Sequence, residues 1–234
     1  MKVFFVLATA LLVCVLNPVI FSSCASPPPP HDAPPLKAST PLETGLSPLV
    51  PEMVPAAGVA ETVPELPVSA ENIMGQGIVL QEKLADFLLY VNIGADSDFV
   101  RSLSLYYIEE AAAEGVNHDT AFAQMCLETG FLRFGGLVTP DMNNFCGLGA
   151  IGPQETGLVF PDPRTGVRAH IQHLKAYATD DPLNQELVDP RFHYVKRGSS
   201  PAIQGLAGTW AADRSYHTKI RRILNRLYEF SNEE

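Results

Sequence analysis

Apolar residues recur at helical spacing along most of the chain from residue 81 onward. Positions three and four residues apart lie on one face of a helix, so this pattern predicts amphipathic helices around a shared core. We predict helices over residues 81–91, from Ser97 or Asp98 to about residue 114, from Asn117 or Asp119 to about residue 129, over 166–179, from Ser200-Pro201 onward, and over 213–230.

Residues 149–165 interrupt the helical pattern with glycines and prolines. An apolar triplet at residues 158–160 lies between predicted turns, which favours a short hairpin or an irregular lobe. The sequence contains no internal repeat. It therefore predicts a mainly α fold of the α+β type, a helical globule with one small β-lobe.

The first residues have the pattern of an export signal. Met1-Lys2 precedes an apolar run to about residue 15, and small residues follow before Cys24. We predict a signal peptide over residues 1–23. The cysteine makes it resemble a bacterial lipoprotein signal with lipid on Cys24, although Phe21 stands where Leu is usual. An ordinary cleaved signal and an uncleaved anchor are the alternatives. The lipoprotein interpretation predicts an exported protein anchored to a membrane, in the periplasm or the cell envelope.

Residues 24–70 have a different composition from the rest of the chain. Twelve prolines fall between Pro27 and Pro67, and aromatic residues are absent there. Such a segment has too little apolar surface to fold alone and favours extended polyproline II. We expect a disordered linker, either a spacer that holds the domain away from a membrane or a passive leader. One folded domain is expected over residues 71–234.

The charge balance argues against a nucleic-acid partner. The formal net charge is −10, and the bases at residues 219–226 share an amphipathic helix with apolar residues, which favours a solvated face. His170 and His173 lie one helical turn apart without an obvious third ligand. We expect one of them to be exposed and the other packed, and we predict no metal, no cofactor and a monomeric chain.

A carboxylate at the end of an apolar helix is the most informative feature of the chain. Glu128 lies in the segment FAQMCLETG, just before Gly130. The negative end of the helix and the apolar neighbours both disfavour an ionised carboxyl, so we expect a raised pKa for Glu128 and a role as general acid. The alternative is a surface glutamate in a last helical turn before a glycine cap.

Several motifs follow this helix in a fixed order. They are Glu128-Thr129-Gly130, Asn143-Asn144-Phe145-Cys146-Gly147, Gly166-Val167-Arg168-Ala169-His170, and Ala211-Ala212-Asp213 with Tyr216 and Lys219-Ile220. Together they resemble the endo-β-N-acetylglucosaminidase domain of bacterial cell-wall hydrolases over about residues 76–231. The resemblance implies a lysozyme-like architecture with the β-lobe beside the helix that bears Glu128.

The resemblance implies cleavage of a glycosidic bond with Glu128 as the acid. A second group must then stabilise positive charge or place water. In the family this is often a carboxylate of the β-lobe. Glu155 is the preferred candidate for this group, and Asp162 is the second candidate. Asp162 is also predicted to contact substrate, and its alternative role is that of a turn residue. A substrate-assisted route through the N-acetyl group would need no second carboxylate. Tyr216 matches a family tyrosine near the scissile bond, and its alternative is a half-buried aromatic residue.

Four further residues are candidates for substrate binding. Trp210 stands where the family usually has Tyr, and it either stacks on a sugar or fills the core. The amides of Asn143 and Asn144 either bond acetamido and hydroxyl groups or tie their loop to backbone near Glu128. Phe145 belongs to the same loop motif.

Cys126 and Cys146 are the thiols of the predicted domain. Export would permit a disulfide that joins the Asn-Asn loop to the helix of Glu128. Two small buried side chains are the alternative.

The sequence thus predicts a peptidoglycan hydrolase that cleaves the β-1,4 bond between N-acetylglucosamine and N-acetylmuramic acid by general acid catalysis. A lytic transglycosylase or muramidase acting on the same polymer is one alternative, and a non-catalytic wall-binding protein is another. The expected partners are the glycan strands of peptidoglycan and, through the lipid anchor, a membrane.

Overall fold

A computed structural model describes residues 71–233 of the 234-residue chain. The predicted signal peptide, the proposed lipid site at Cys24 and the proline-rich linker lie outside the described residues. None of the helices in the described part is long and apolar enough to cross a membrane.

Five α-helices and one two-stranded sheet form the described domain, which confirms the predicted mainly α, lysozyme-like fold. The helices are α1 Gln81–Val91, α2 Ser97–Glu114, α3 His118–Thr129, α4 Pro163–Ala178 and α5 Tyr216–Asn232. Strands β1 Ala150–Gly152 and β2 Glu155–Thr156 pair antiparallel as a hairpin between α3 and α4. Short 3₁₀ helices cover Pro140–Met142, Phe192–Tyr194 and Ile203–Leu206.

Local sequence signals set the ends of α2 and α3. The carboxylate of Asp96 accepts a hydrogen bond from the backbone N–H of Phe99 at 2.7 Å, so the cap of α2 lies just before the predicted Ser97 or Asp98. Asn117 caps α3, one of the two residues predicted for that role. Gly115 and Gly130 end these helices with φ of 73° and 58°, a left-handed conformation that glycine adopts without steric cost.

Two predicted elements differ from the structure. The predicted helix from Ser200-Pro201 is wrong, because only the 3₁₀ turn Ile203–Leu206 forms there. Ser200 is buried and its hydroxyl donates to the carbonyl of Gly205 at 2.8 Å, which favours a tight turn over a longer helix. The predicted hairpin does form, but from residues 150–156 rather than from the apolar triplet at 158–160.

Ion pairs to two buried glutamates of α2 join α2 to α4. Glu110 accepts hydrogen bonds from Nε of Arg164 at 2.6 Å and from Nε of Arg168 at 2.8 Å. One turn further along α2, Glu114 pairs with the buried Lys175 at 2.8 Å. Removing one partner would leave a buried charge unpaired, so these pairs fix the register between the two helices.

Both histidines of α4, His170 and His173, have buried side chains. The prediction that one of His170 and His173 is exposed is wrong, since their exposed fractions are 0% and 2%. The two ring nitrogens of His170 are hydrogen-bonded to the buried side chains of Tyr107 and Gln124. Nδ1 of His173 is hydrogen-bonded to the buried carboxylate of Asp189. Satisfied polar contacts allow a histidine to sit in a core without a metal.

Cys126 and Cys146 are free thiols, and both are buried. The structure therefore has the second of the two arrangements that the sequence allowed, two small side chains in the core. Burial raises the pKa of both thiols well above the usual value, so both are protonated and unreactive at neutral pH.

Candidate active site

A cleft of about 580 Å³ opens at the C-terminal end of α3. One wall comes from residues 134–150, including Ala150 at the start of β1, and the other comes from residues 210–219 at the start of α5. Glu128 and Tyr216 both line it. The cleft therefore brings together the first and last of the sequence motifs.

Glu128 occupies the last turn of α3. Protein groups surround its carboxyl, while the residue stays open to solvent on the cleft side. Burial raises the pKa of Glu128 from 4.5 to about 7, and hydrogen bonds from Tyr216 and Trp210 favour the ionised form and oppose this rise. A carboxyl group with this pKa holds its proton in a large fraction of molecules near neutral pH, as a general acid requires.

Tyr216 is the first residue of α5 and has an exposed fraction of 5%. Its hydroxyl donates a hydrogen bond to Oε1 of Glu128. The oxygen of the same hydroxyl accepts from the side-chain amide of Gln124 at 2.8 Å. The phenol is thus held at two points.

Trp210 forms the wall beside Glu128. Indole nitrogen is only a donor, so the hydrogen bond between the two residues runs from Trp210 to the carboxylate. The indole packs edge-on against His173, with ring centroids 5.0 Å apart. Nδ1 of His173 lies 2.7 Å from Oδ2 of the buried Asp189. Trp210 both lines the cleft and belongs to the core, and its stacking on a sugar stays a prediction.

The backbone turns through a left-handed conformation directly after Glu128. Phe131, Leu132 and Phe134 have φ of 58°, 62° and 56° without being glycines. Such residues cost of order 1–3 kcal/mol each and persist where the surroundings hold them. Thr129 Oγ1 accepts from the N–H of Leu132 at 2.9 Å, and Asn92 donates to the carbonyl of Phe131 at 2.8 Å. The turn makes Phe134 part of the cleft wall.

The Asn-Asn loop is tied to its own backbone. Asn143 donates to the carbonyl of Phe160 at 3.0 Å, and Asn144 donates to the carbonyls of Leu148 and Leu158 at 2.9 and 3.0 Å. This is the second of the two roles that the sequence allowed. Asn144 lines the cleft and Asn143 does not. Their contact with substrate stays a prediction.

Two glycines explain why the loop lies where it does. A Cβ at Gly166 on α4 would lie 1.8 Å from the carbonyl oxygen of Asn143, so only glycine lets the loop approach the helix. Gly147 has φ of 72°, and a Cβ there would lie 3.8 Å from Oε2 of Glu128. The loop backbone therefore borders the carboxyl of Glu128.

Besides Asn143, three predicted site residues lie outside the cleft lining. Glu155 is exposed on β2. Asp162 caps α4, and its carboxylate accepts from the N–H of Thr165 at 2.9 Å. Phe145 is buried in the core with an exposed fraction of 1%. Their roles toward substrate stay predictions.

Asp213 lines the cleft, a position that the sequence pattern did not predict. Its carboxylate is bonded by Lys219 at 2.8 Å and by Ser215, and these contacts lower its pKa to about 2. The residue is therefore ionised throughout the neutral range. Its place three residues before Tyr216 was the available signal, because a residue just before a helix lies close to the first turn of that helix.

Within residues 71–233, no group of three or more His, Cys, Asp or Glu side chains is arranged to hold a metal ion. Glu128, Asp213, Lys219 and Tyr216 supply titratable groups to the cleft.

The sequence of the chain matches a known family over the region that builds this cleft. The family described as mannosyl-glycoprotein endo-beta-N-acetylglucosaminidase, or glucosaminidase, matches residues 104–229, which is more than half of the chain. The chain belongs to the glucosaminidase family. Membership implies a glycoside hydrolase with a glycan substrate. The matched range includes Glu128, Gln124, Trp210 and Tyr216.

A relative of this chain is known from Borreliella burgdorferi. It is described as an uncharacterized protein and is 42% identical over 160 residues, covering 68% of this chain and 78% of the relative. That description assigns no activity, so the relative adds no information about the substrate or the bond that is cleaved.

Proposed function

We propose that this glucosaminidase hydrolyses peptidoglycan at the β-1,4 bond that follows N-acetylglucosamine, with Glu128 as the general acid. The observation that supports this most directly is the contact between Tyr216 and Glu128 in a cleft of a glucosaminidase fold. A carboxyl with a pKa near 7 is suited to donate a proton at neutral pH.

The proton transfer follows from the two oxygens of Glu128. Oε1 accepts the hydrogen bond from Tyr216, and we place the acidic proton on Oε2. Transfer of that proton to the glycosidic oxygen releases the leaving sugar as an alcohol and leaves positive charge at the anomeric carbon. Tyr216 then stabilises the carboxylate that forms, because its hydroxyl already points at Oε1. Water then adds to the anomeric carbon, and the proton it loses restores the acid form of Glu128.

Three groups are candidates to stabilise the developing positive charge. Asp213 is ionised and lines the cleft, although Lys219 partly neutralises it. Glu155 extends from the exposed hairpin. The N-acetyl group of the substrate is the third. The position of Asp213 in the cleft lining favours it over Glu155 among the two carboxylates.

The test is a digest of purified peptidoglycan by the full-length protein, with products reduced and identified by mass spectrometry. New N-acetylglucosamine reducing ends that disappear with Glu128→Gln are the expected result. Anhydro-muramic ends would instead identify a lytic transglycosylase, and muramic reducing ends would identify a muramidase. Binding of peptidoglycan without any cleavage would identify a wall-binding protein.

We further propose that Cys24 bears lipid and that the proline-rich linker lets the domain reach the wall from a membrane surface. The pattern of residues 1–24 supports this proposal. At about 3.1 Å per residue, a linker of this length spans up to roughly 140 Å when extended.

A further inference from the structure

A row of hydrogen bonds runs from the core of the domain to Glu128. The hydroxyl of Tyr107 lies 2.9 Å from Nδ1 of His170, and Nε2 of His170 lies 3.0 Å from Oε1 of Gln124. The amide nitrogen of Gln124 donates to the hydroxyl of Tyr216, which donates to Glu128. Helices α2, α4, α3 and α5 each contribute to this row.

The direction of every bond follows from the carboxylate at its end. An ionised carboxylate only accepts, so Tyr216 donates to it and accepts from Gln124. The amide nitrogen of Gln124 therefore faces Tyr216, and its carbonyl oxygen faces His170. Burial lowers the pKa of His170 to about 3, so the ring is neutral and has one donor and one acceptor. Nε2 of His170 donates to Gln124, which leaves Nδ1 to accept from Tyr107.

We propose that Tyr107, His170 and Gln124 are positioning residues that hold the hydroxyl proton of Tyr216 toward Glu128 and thereby set the acidity of the catalytic carboxyl. The inference rests on the proposed function, because it takes Glu128 as the acid. All three positioning residues have an exposed fraction of 0%, so water does not compete for these bonds. Each acceptor that is itself a donor becomes a stronger donor, and the effect accumulates along the row.

The row acts on the pKa of Glu128 in one direction. The bond from Tyr216 stabilises the ionised carboxyl and holds its pKa below the value that burial alone would produce. Weakening any bond in the row frees an amide, an imidazole tautomer or a hydroxyl to reorient, which weakens that last bond. The pKa of Glu128 then rises.

The other titratable groups around Glu128 differ in their connection to this row. Lys219 and Asp213 line the same cleft, His173 lies behind Trp210, and the Cys146 thiol is close enough to feel the charge of Glu128. None of these four is hydrogen-bonded to Tyr107, His170 or Gln124. His170 also contacts the ring of Trp210, with centroids 5.8 Å apart, so an effect on Glu128 must be separated from a direct effect on the indole.

The chain offers an optical readout that does not depend on activity. Trp210 is the only tryptophan of the full sequence, and it is hydrogen-bonded to Glu128. Its fluorescence is expected to change as Glu128 ionises. Because His173 also contacts the indole, the part of the titration that belongs to Glu128 is defined as the part that Glu128→Gln removes.

The experiment titrates the fluorescence of the full-length wild-type protein, Glu128→Gln, Tyr107→Phe and Gln124→Leu. We expect the transition of Glu128 to move to higher pH by about half a unit in Tyr107→Phe and by about one unit in Gln124→Leu. Tyr228→Phe is the matched control, since it also removes one hydroxyl that is hydrogen-bonded in the interior, here to Asp119 at 2.9 Å. It should lower the melting temperature without moving the transition.

Tyr107→Phe is the deciding variant if Gln124→Leu does not fold, because it deletes a single oxygen. The proposal would be overturned if Tyr107→Phe left the transition at the wild-type pH, or if Tyr228→Phe moved it by the same amount. It would also be overturned if the wild-type transition persisted in Glu128→Gln. The pH profile of kcat should shift in parallel, with KM unchanged. A moved transition in a protein that cleaves no peptidoglycan would refute the proposed function and leave the positioning role standing.

Discussion

The hydroxyl of Tyr216 donates to Oε1 of Glu128 across 88 positions of sequence, joining the first turn of α5 to the last turn of α3. Both helix ends thereby meet at the floor of the cleft. Burial raises the pKa of the carboxyl to about 7, and the hydrogen bond from the phenol opposes this rise.

Glu128→Gln should abolish glycan hydrolysis, with a loss of at least about 10²–10⁴-fold in kcat, because an amide has no proton to donate. Zymography on purified peptidoglycan measures the activity, and circular dichroism checks the fold. Glu229→Gln, an exposed glutamate of α5 outside the cleft lining, is the matched control and should be silent. Near wild-type clearing by the Glu128 variant would rule out this residue as the acid.

The rate constant kcat/KM should fall as pH rises through about 7, because the active form holds the proton of Glu128. The same shift affects stability. The folded pKa is above the unfolded value of 4.5, so the stabilising contribution is complete below pH 4.5 and is lost as pH rises through about 7. Glu128→Gln should therefore melt at a higher temperature than wild type at pH 8, and at nearly the same temperature at pH 4. An equal difference at both pH values would contradict the raised pKa.

Tyr216→Phe should lower kcat about ten- to a hundredfold with little change in KM, because the lost hydrogen bond matters most when Glu128 becomes a carboxylate. Tyr216→Ala should in addition destabilise the fold by about 3–5 kcal/mol, since the ring is buried. Steady-state kinetics and thermal melts of both variants separate the two effects. Wild-type turnover in the Phe variant would reduce Tyr216 to a packing residue.

Asp213→Asn should cost more activity than Glu155→Gln, because Asp213 lines the cleft and Glu155 does not. A loss of about tenfold or more is expected for a carboxylate that stabilises the positive charge of the transition state. Comparing kcat of the two variants at pH 6 decides between them. Two silent variants would favour the substrate-assisted route, and a larger loss at Glu155 would restore the hairpin carboxylate as the second group.

Cys24→Ser should move the full-length protein from the detergent phase to the aqueous phase in Triton X-114 partitioning, because the lipid supplies the apolar anchor. Activity of the released protein on soluble glycan fragments should be unchanged, which serves as the folding control. Unaltered partitioning would point to an ordinary signal or an uncleaved anchor.

The sequence by itself predicted the five α-helices and named Glu128 as the candidate acid. Helical periodicity, Asn117 as a cap and Gly130 as a stop are local signals, so α3 and the place of Glu128 at its end follow from about twelve neighbouring residues. The order of the motifs from Glu128 to Ile220 was enough to indicate the glucosaminidase family, which the family match confirms.

Only the tertiary structure decided which polar residues surround that acid. These contacts connect residues up to about a hundred positions apart in the sequence. They are the position of Asp213 in the cleft, the packing of His173 against Trp210, and the row of hydrogen bonds from Tyr107 to Tyr216. Glu155 was preferred because it precedes an apolar triplet in sequence, yet it lies on the exposed strand outside the cleft lining. Local spacing fixes which face of a helix a side chain occupies, whereas the packing of α2, α3, α4 and α5 fixes which faces meet.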